Sequence, residues 1–248
     1  MSAGSERNRL RPDSNEHPLL ERGVADLITM LVLVAATAAV FLLVALPSTR
    51  DDVQRLDNAF LKNMIALRIG PVTAVAKGLN VLGSVVVTLP VRILAALYLA
   101  GRKRWWHLAA FVSAVVVSEA LIEPLKSLYD RGRPPHPLVA TSGASFPSGH
   151  AVAASVTVVA LVIAFFPTGR QRAVWGVAAA IFAFAMGLSR AYLAAHWLSD
   201  AVAGTLLGVT VALTAALVVQ SIRDRGLPRS DSHVREPAAD RGIVPQGE

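Results

Sequence analysis

Cysteine is absent from the 248-residue chain. That absence excludes disulfides, thiolate metal sites and cysteine nucleophiles. Charge is scarce too, with Asp, Glu, Lys and Arg at 17% against 54% hydrophobic residues and a mean hydropathy of +0.51. A soluble domain of this length is less apolar, so the bilayer is the expected solvent. The formal net charge is +7. The basic residues stand in short clusters between apolar runs, however, as in loops at an anionic membrane face, and no nucleic-acid partner is expected.

Residues 1–22 are polar and carry Arg7, Arg9, Arg11 and Arg22 without apolar periodicity, which predicts a disordered cytoplasmic lead. The run Val24 to Leu46 is long enough to cross ~30 Å of hydrocarbon and too long for a cleaved signal core of about 7 to 15 residues. Further apolar runs cover Leu79–Ala100, Trp106–Ile122, Ala151–Phe166, Val174–Leu188 and Ala201–Ile222. The expected fold is therefore an all-α, polytopic bundle of six transmembrane helices over residues 23–222. Between the first two runs, Leu56, Phe60, Met64 and Leu67 recur at helical spacing and predict an interfacial amphipathic helix. Residues 223–248, with Pro228, Pro237 and Pro245, predict a disordered cytoplasmic tail.

With the spans so placed, one side collects fourteen basic residues, including Arg102 to Arg104, Arg170, Arg172 and those of both tails, and the other side nine. The richer side should be cytoplasmic, which puts both termini inside and makes this a multi-pass protein of the cell (plasma) membrane. Arg92, inside the second run, is expected to be a structural charge facing another helix. Glu119 and Glu123 are expected to form a charge pair that holds Lys126. Trp105, Trp106, Tyr192 and Trp197 read most simply as interfacial aromatics, with Tyr192 and Trp197 alternatively bordering the lipid entry.

Three polar islands stand at span ends on the predicted outer side: KSLYDRGRP with Lys126 and Arg133, FPSGH with Ser148, Gly149 and His150, and SRAYLAAHWLSD with Arg190, His196 and Asp200. Three cations, two of them planar forks, make an anion site. Ser148 is a suitable N-cap, and the free N–H groups of Gly149 and His150 would meet a bound anion with the positive end of a helix dipole behind them. His196 and Asp200 are four apart, so on a helix beginning near Ala195 the carboxylate would fix one ring nitrogen and leave the other to attack phosphorus. His150 is then available as general acid, a contribution of ~10² to 10⁴-fold. Asp130 and Arg131 read as turn and rim residues.

The order and spacing K-x6-RP, PSGH, SR-x5-H-x3-D resembles the three signatures of the type 2 phosphatidic acid phosphatase family, with every signature position filled. The resemblance implies chemistry without a metal or other cofactor: His196 as nucleophile, Asp200 as its orienter, His150 as acid, and Lys126, Arg133, Ser148, Gly149 and Arg190 as the phosphate cradle. It implies a lipid phosphatase acting through a phosphohistidine, with an extracytoplasmic site. Its partners would be membrane lipids and the lipid phosphate, with no protein partner identifiable. The expected substrate is an undecaprenyl-type diphosphate, with phosphatidic acid or phosphatidylglycerol phosphate as alternatives. A transporter would show paired broken helices and midplane charges, and a non-catalytic lipid-binding protein would lack one of the two histidines or Asp200.

Overall fold

The computed structural model describes residues 16–20 and 23–226. Most of the two predicted polar tails lies outside the described residues. Eight helices make up the described chain: α1 (Val24–Ala45), α2 (Pro47–Ala66), α3 (Gly70–Leu82), α4 (Val85–Gly101), α5 (Trp105–Tyr129), α6 (Gly149–Phe165), α7 (Arg170–Tyr192) and α8 (Leu198–Gly226). There is no strand among the described residues, so the all-α expectation holds.

Four helices, α1, α5, α7 and α8, are long and apolar enough to cross a membrane individually. The run expected to be one span from Leu79 to Ala100 is broken at Gly83 and Ser84, and α3 and α4 meet there at 48°. Together they make a fifth candidate span. At 17 residues, α6 is about 26 Å long, which is short of the ~30 Å hydrocarbon core. Pro47 and Pro71 lie in the first turns of α2 and α3, where a missing N–H costs nothing. The helix α2 is amphipathic as expected, but its buried face carries Asp57 and Leu61, while Leu56 and Leu67 are exposed.

Helices α6 and α8 form the centre of the bundle, α8 touching α1, α2, α5, α6 and α7. They approach so closely because of two glycines one turn apart. A Cβ on Gly204 would stand 2.6 Å from the Ser148 carbonyl oxygen, and one on Gly208 would stand 2.7 Å from Val152 O and 2.9 Å from Val156 N. Those obstacles are backbone atoms that cannot rotate away. Gly208→Ala should therefore cost at least ~1 to 3 kcal/mol of stability, read as a lower unfolding temperature in detergent. Gly83→Ala, whose added carbon meets the flexible end of Met186 and, at 3.3 Å, the His150 ring, but no backbone atom, should change it far less.

The two ends of the bundle differ chemically. At one end Leu19 is fully buried, its N–H donating to Gln220 Oε1 (2.9 Å) and its carbonyl accepting from Arg172, while His17 lies among Arg104, His107 and Arg172. At the other end α5, α7 and the starts of α6 and α8 bring the three polar islands together. Between them, Arg92 donates to Glu119 (2.6 Å), Thr157 (2.8 Å) and Ala153 O (3.2 Å), the interhelical partnership its sequence position predicts. Glu119 thus belongs to Arg92, and among the described residues Lys126 pairs with Glu123 (3.4 Å).

Candidate active site

The first island ends α5 and turns inward. Asp130 closes the helix in the left-handed region (φ 34°), and its N–H donates to Lys126 O. This turn sends Arg131 into the protein instead of to the rim. Arg131 is 7% exposed and donates to Asp200 Oδ1 (2.7 Å), Asp57 Oδ2 (2.7 Å), Ser199 Oγ (2.6 Å) and Gln54 Oε1 (2.8 Å). Two residues on, Arg133 is wrapped by the loop that leads to α6. It donates to the carbonyls of Ser142 (2.6 Å), Gly143 (2.9 Å), Ala144 (3.1 Å) and Ala195 (2.7 Å), with Nη1 at 3.2 Å from His196 Nε2.

The third island is a turn between helices, not the start of one. The backbone leaves α7 at Tyr192, folds back so that Ala195 N and His196 N reach Arg190 O (3.0 and 3.3 Å), and enters α8 at Leu198. His196 consequently precedes the helix that carries Asp200, and the expected helical i, i+4 pairing is replaced by a different geometry. The His196 Nδ1 donates to the Ser145 carbonyl oxygen at 2.7 Å, while Asp200 Oδ2 stands at 3.7 Å. Asp200 itself caps α8, accepting from Trp197 N (2.9 Å), and also accepts from the Ser145 hydroxyl and from Arg131. The orienting group on the ring is thus a backbone carbonyl, and Asp200 is the buried charge behind it.

The partners fix the tautomer. Nδ1 faces only oxygen acceptors and must carry the proton, whereas Nε2 faces an Arg133 donor and presents its lone pair. Burial holds the imidazole below its ordinary pKa, Asp200 works against that shift, and Arg190 and Arg133 reinforce it. The ring is therefore neutral near pH 7 with a free nitrogen directed at cations.

The second island packs against this turn, Ser148 N donating to Asp200 O (3.1 Å) after a cis Phe146–Pro147 bond. Ser148 is the N-cap of α6, as expected, but its hydroxyl makes no cap bond and is buried without a partner among the described residues. Arg190, 2% exposed, reaches Asn80 Oδ1 through Nη1 while its Nε also has no partner. The His150 ring sits beside Gly83 and the backbone of Asn80, within electrostatic reach of Arg190, His196 and Arg133. Seven of the eight expected site residues therefore gather around one volume. Lys126, on the last turns of α5, has Glu123 as its ion-pair partner. Among the described residues no group of three His, Asp or Glu side chains is disposed to hold a metal ion.

Arg131, Asp57, Ser145 and Asn80 were not expected here. The one readable sign was Asp57, which shares the i, i+4 stripe of Val53 and Leu61 on α2, where a solvated carboxylate has no place. Trp197 and Tyr192 are likewise buried in the protein: Trp197 Nε1 donates to Gly132 O (2.8 Å), and Tyr192 OH bonds Thr73 Oγ1 (2.8 Å). Tyr192 and Ser189 also line an apolar groove of about 430 Å³ between α3 and α7, whose other walls include Met64, Val72, Leu79 and Leu188.

Residues 105–224 match the model of the PAP2 superfamily. Phosphatidylglycerophosphatase B of Bacillus subtilis is 28% identical over 176 residues, which are 68% of this chain and 86% of that protein. Decaprenylphosphoryl-5-phosphoribose phosphatase of Mycobacterium tuberculosis is 34% identical over 144 residues, 56% of this chain and 75% of that protein. The fold resembles the crystal structure of a transmembrane PAP2 type phosphatidylglycerolphosphate phosphatase from Bacillus subtilis (TM-score 0.63, 24% identity, 83% of this chain and 98% of that one). It also resembles that of Aquifex aeolicus LpxE (TM-score 0.54, 20% identity, 64% and 94%). With three polar islands converging as the signature order requires, and with relatives that span most of its length, the chain belongs to the PAP2 superfamily, among its membrane phosphatases.

Proposed function

We propose that this chain hydrolyses a polyprenyl-linked phosphate, an undecaprenyl-type diphosphate in the first instance, through a phosphohistidine at His196. The observation that carries the reading is a neutral imidazole whose free Nε2 faces Arg133, with an unpartnered Arg190 Nε and Ser148 hydroxyl buried nearby. Buried donors without acceptors are costly, and a phosphoryl group would satisfy them. In the first step Nε2 attacks phosphorus as the bond to the leaving oxygen breaks, and His150 gives that oxygen a proton. In the second, His150 takes a proton from water as the water oxygen attacks phosphorus and the P–N bond breaks. Arg133, Arg190, Ser148 and the N–H groups of Gly149 and His150 hold the phosphoryl oxygens, the electrostatic positioning on which phosphoryl transfer chiefly depends. Lys126 would meet the distal phosphate or the head group.

A lipid substrate is supported by the apolar groove beside Arg190, since Leu79 and Ser189 adjoin Asn80 and Arg190 and a chain lying there would place its phosphate at the cations. A polyprenyl chain is supported by the decaprenyl-linked substrate in the name of the 34% identical relative. Phosphatidylglycerol phosphate is the second reading, favoured by the B. subtilis relative. Phosphate release from undecaprenyl diphosphate, phosphatidic acid and phosphatidylglycerol phosphate at matched detergent dilution, in EDTA, decides between them. We expect kcat/KM for the polyprenyl substrate to exceed the others by at least ~10-fold, about 1.4 kcal/mol of discrimination. A preference for phosphatidylglycerol phosphate would install the second reading.

The basic end of the bundle should face the cytoplasm and the site the outside, with the amino-terminal segment and the polar tail both inside. The absence of native cysteine permits a direct check. Thr141→Cys, in the loop over the site, should react with an impermeant maleimide added to intact cells, and reaction only after lysis would reverse the topology.

A further inference from the structure

Outside the signature positions, the most heavily buried charge cluster joins α2 to the active site. Arg131 lies between two carboxylates, Asp57 (1% exposed) and Asp200 (fully buried), each at 2.7 Å. Its Nη1 serves Asp200 and Ser199, and its Nη2 serves Asp57 and Gln54. Asp57 completes the circuit by accepting from Ser199 N (2.9 Å) and from the Ser199 hydroxyl (2.6 Å), and the guanidinium lies 5.7 Å over the Trp197 ring. The residues between His196 and Asp200 are thereby clamped from α2, a helix that lies wholly before the matched family region beginning at residue 105.

We propose that Arg131 and Asp57 are positioning residues that set how much of the Asp200 charge His196 feels. The inference rests on His196 being the nucleophile, as proposed above. Asp200 has one oxygen on Arg131 and the other toward the ring, Ser145 Oγ and Trp197 N. Its negative charge is thus divided between the guanidinium and the imidazole. Asp57 in turn occupies the far side of the guanidinium and draws part of that cation away from Asp200. The clamp holds the ring geometry for attack and lets the triad of charges, net negative by one, offset the cation that forms when Nε2 bonds phosphorus.

The two partners then have opposite electrostatic effects, which a simple loss of packing would not produce. In Arg131→Gln, Asp200 turns its whole charge on the ring, imidazolium is favoured, and the acidic limb of the kcat/KM profile moves to higher pH. In Asp57→Asn, Arg131 belongs wholly to Asp200, imidazolium is disfavoured, and the limb moves to lower pH. Phosphate release from detergent-solubilised phosphatidic acid by the full-length chain reads both. We expect kcat to fall ~10² to 10³-fold in Arg131→Gln and about 10-fold in Asp57→Asn with KM held within a few-fold, the scale of a lost orienting group. Arg131→Lys should restore the position of the limb but only part of kcat, because an ammonium keeps the charge and loses the fork that spans both carboxylates. Limbs that stay in place, or move in the same direction in both variants, overturn the proposal. If Arg131→Gln does not fold, Asp57→Asn decides alone, and an unmoved limb there refutes it. Full activity in His196→Ala would instead remove the underlying mechanism.

Discussion

His196→Ala should eliminate phosphate release from every lipid phosphate tested, with kcat/KM down by at least about 10⁴-fold, because no other group stands where Nε2 stands. The loss belongs to chemistry and not to folding. The side chain's main structural bond is Nδ1 to the Ser145 carbonyl, and a buried acceptor left unpaired costs ~1 to 3 kcal/mol. His196→Asn, which can keep a donor toward that carbonyl, should be equally inactive and closer to wild type in unfolding temperature. Radiolabelled substrate quenched in alkali should leave phosphate on the wild-type protein and none on either variant. The pH profile supplies a second check. Since burial, Arg190 and Arg133 all disfavour the imidazolium and outweigh Asp200, the ring keeps its neutral form to lower pH than an ordinary histidine. The acidic limb of kcat/KM should therefore lie below the usual histidine value of ~6.5. A limb above that value, or turnover in His196→Ala, would contradict the assignment.

Most of the candidate residues that gather at this end of the bundle were legible in the chain, whereas their bonding was not. Lys126, Arg133, Ser148, His150, Arg190, His196 and Asp200 announce themselves by residue type and interval, and polar groups beside long apolar runs have little else to do. But the partner that orients His196 is the carbonyl of Ser145, and every residue has a carbonyl, so no side-chain pattern marks it. Arg131 and Asp57 pair across 74 positions, a distance over which spacing conveys nothing. The fold divides the same way. Apolar runs locate α1, α5, α6, α7 and α8 to within about four residues at each end, except that α5 runs past the expected Ile122 to Tyr129, since burial in hydrocarbon is a property of composition. The interruption at Gly83 escaped notice, because Gly and Ser are tolerated inside apolar helices and only the tertiary fit of Met186 and His150 at that point reveals why the chain bends there. On α2 the spacing of apolar residues was read correctly as a helix, whereas its second, buried stripe escaped notice because it includes an aspartate paired with an arginine from another segment.

Arg190 sets catalysis and stability against each other. It is a cation 2% exposed whose side-chain partner among the described residues is the neutral Asn80, with Nε unpaired there. A buried charge without an anion is a liability to the folded protein, since the loss of hydration is not compensated. Such a residue persists where a ligand supplies the missing charge. Arg190→Met, which keeps most of the volume and none of the charge, should accordingly raise the unfolding temperature of the ligand-free protein or leave it unchanged. The same substitution removes a donor aimed where phosphoryl charge develops, so kcat/KM should fall ~10² to 10³-fold. Inorganic phosphate or vanadate should stabilise the wild type against unfolding and do so much less in Arg190→Met, as expected when binding to the folded state alone shifts the equilibrium. A variant that unfolds earlier yet hydrolyses lipid phosphate at the wild-type rate would show that Arg190 is a structural residue and that the anion is held by Arg133 and the helix α6 terminus alone.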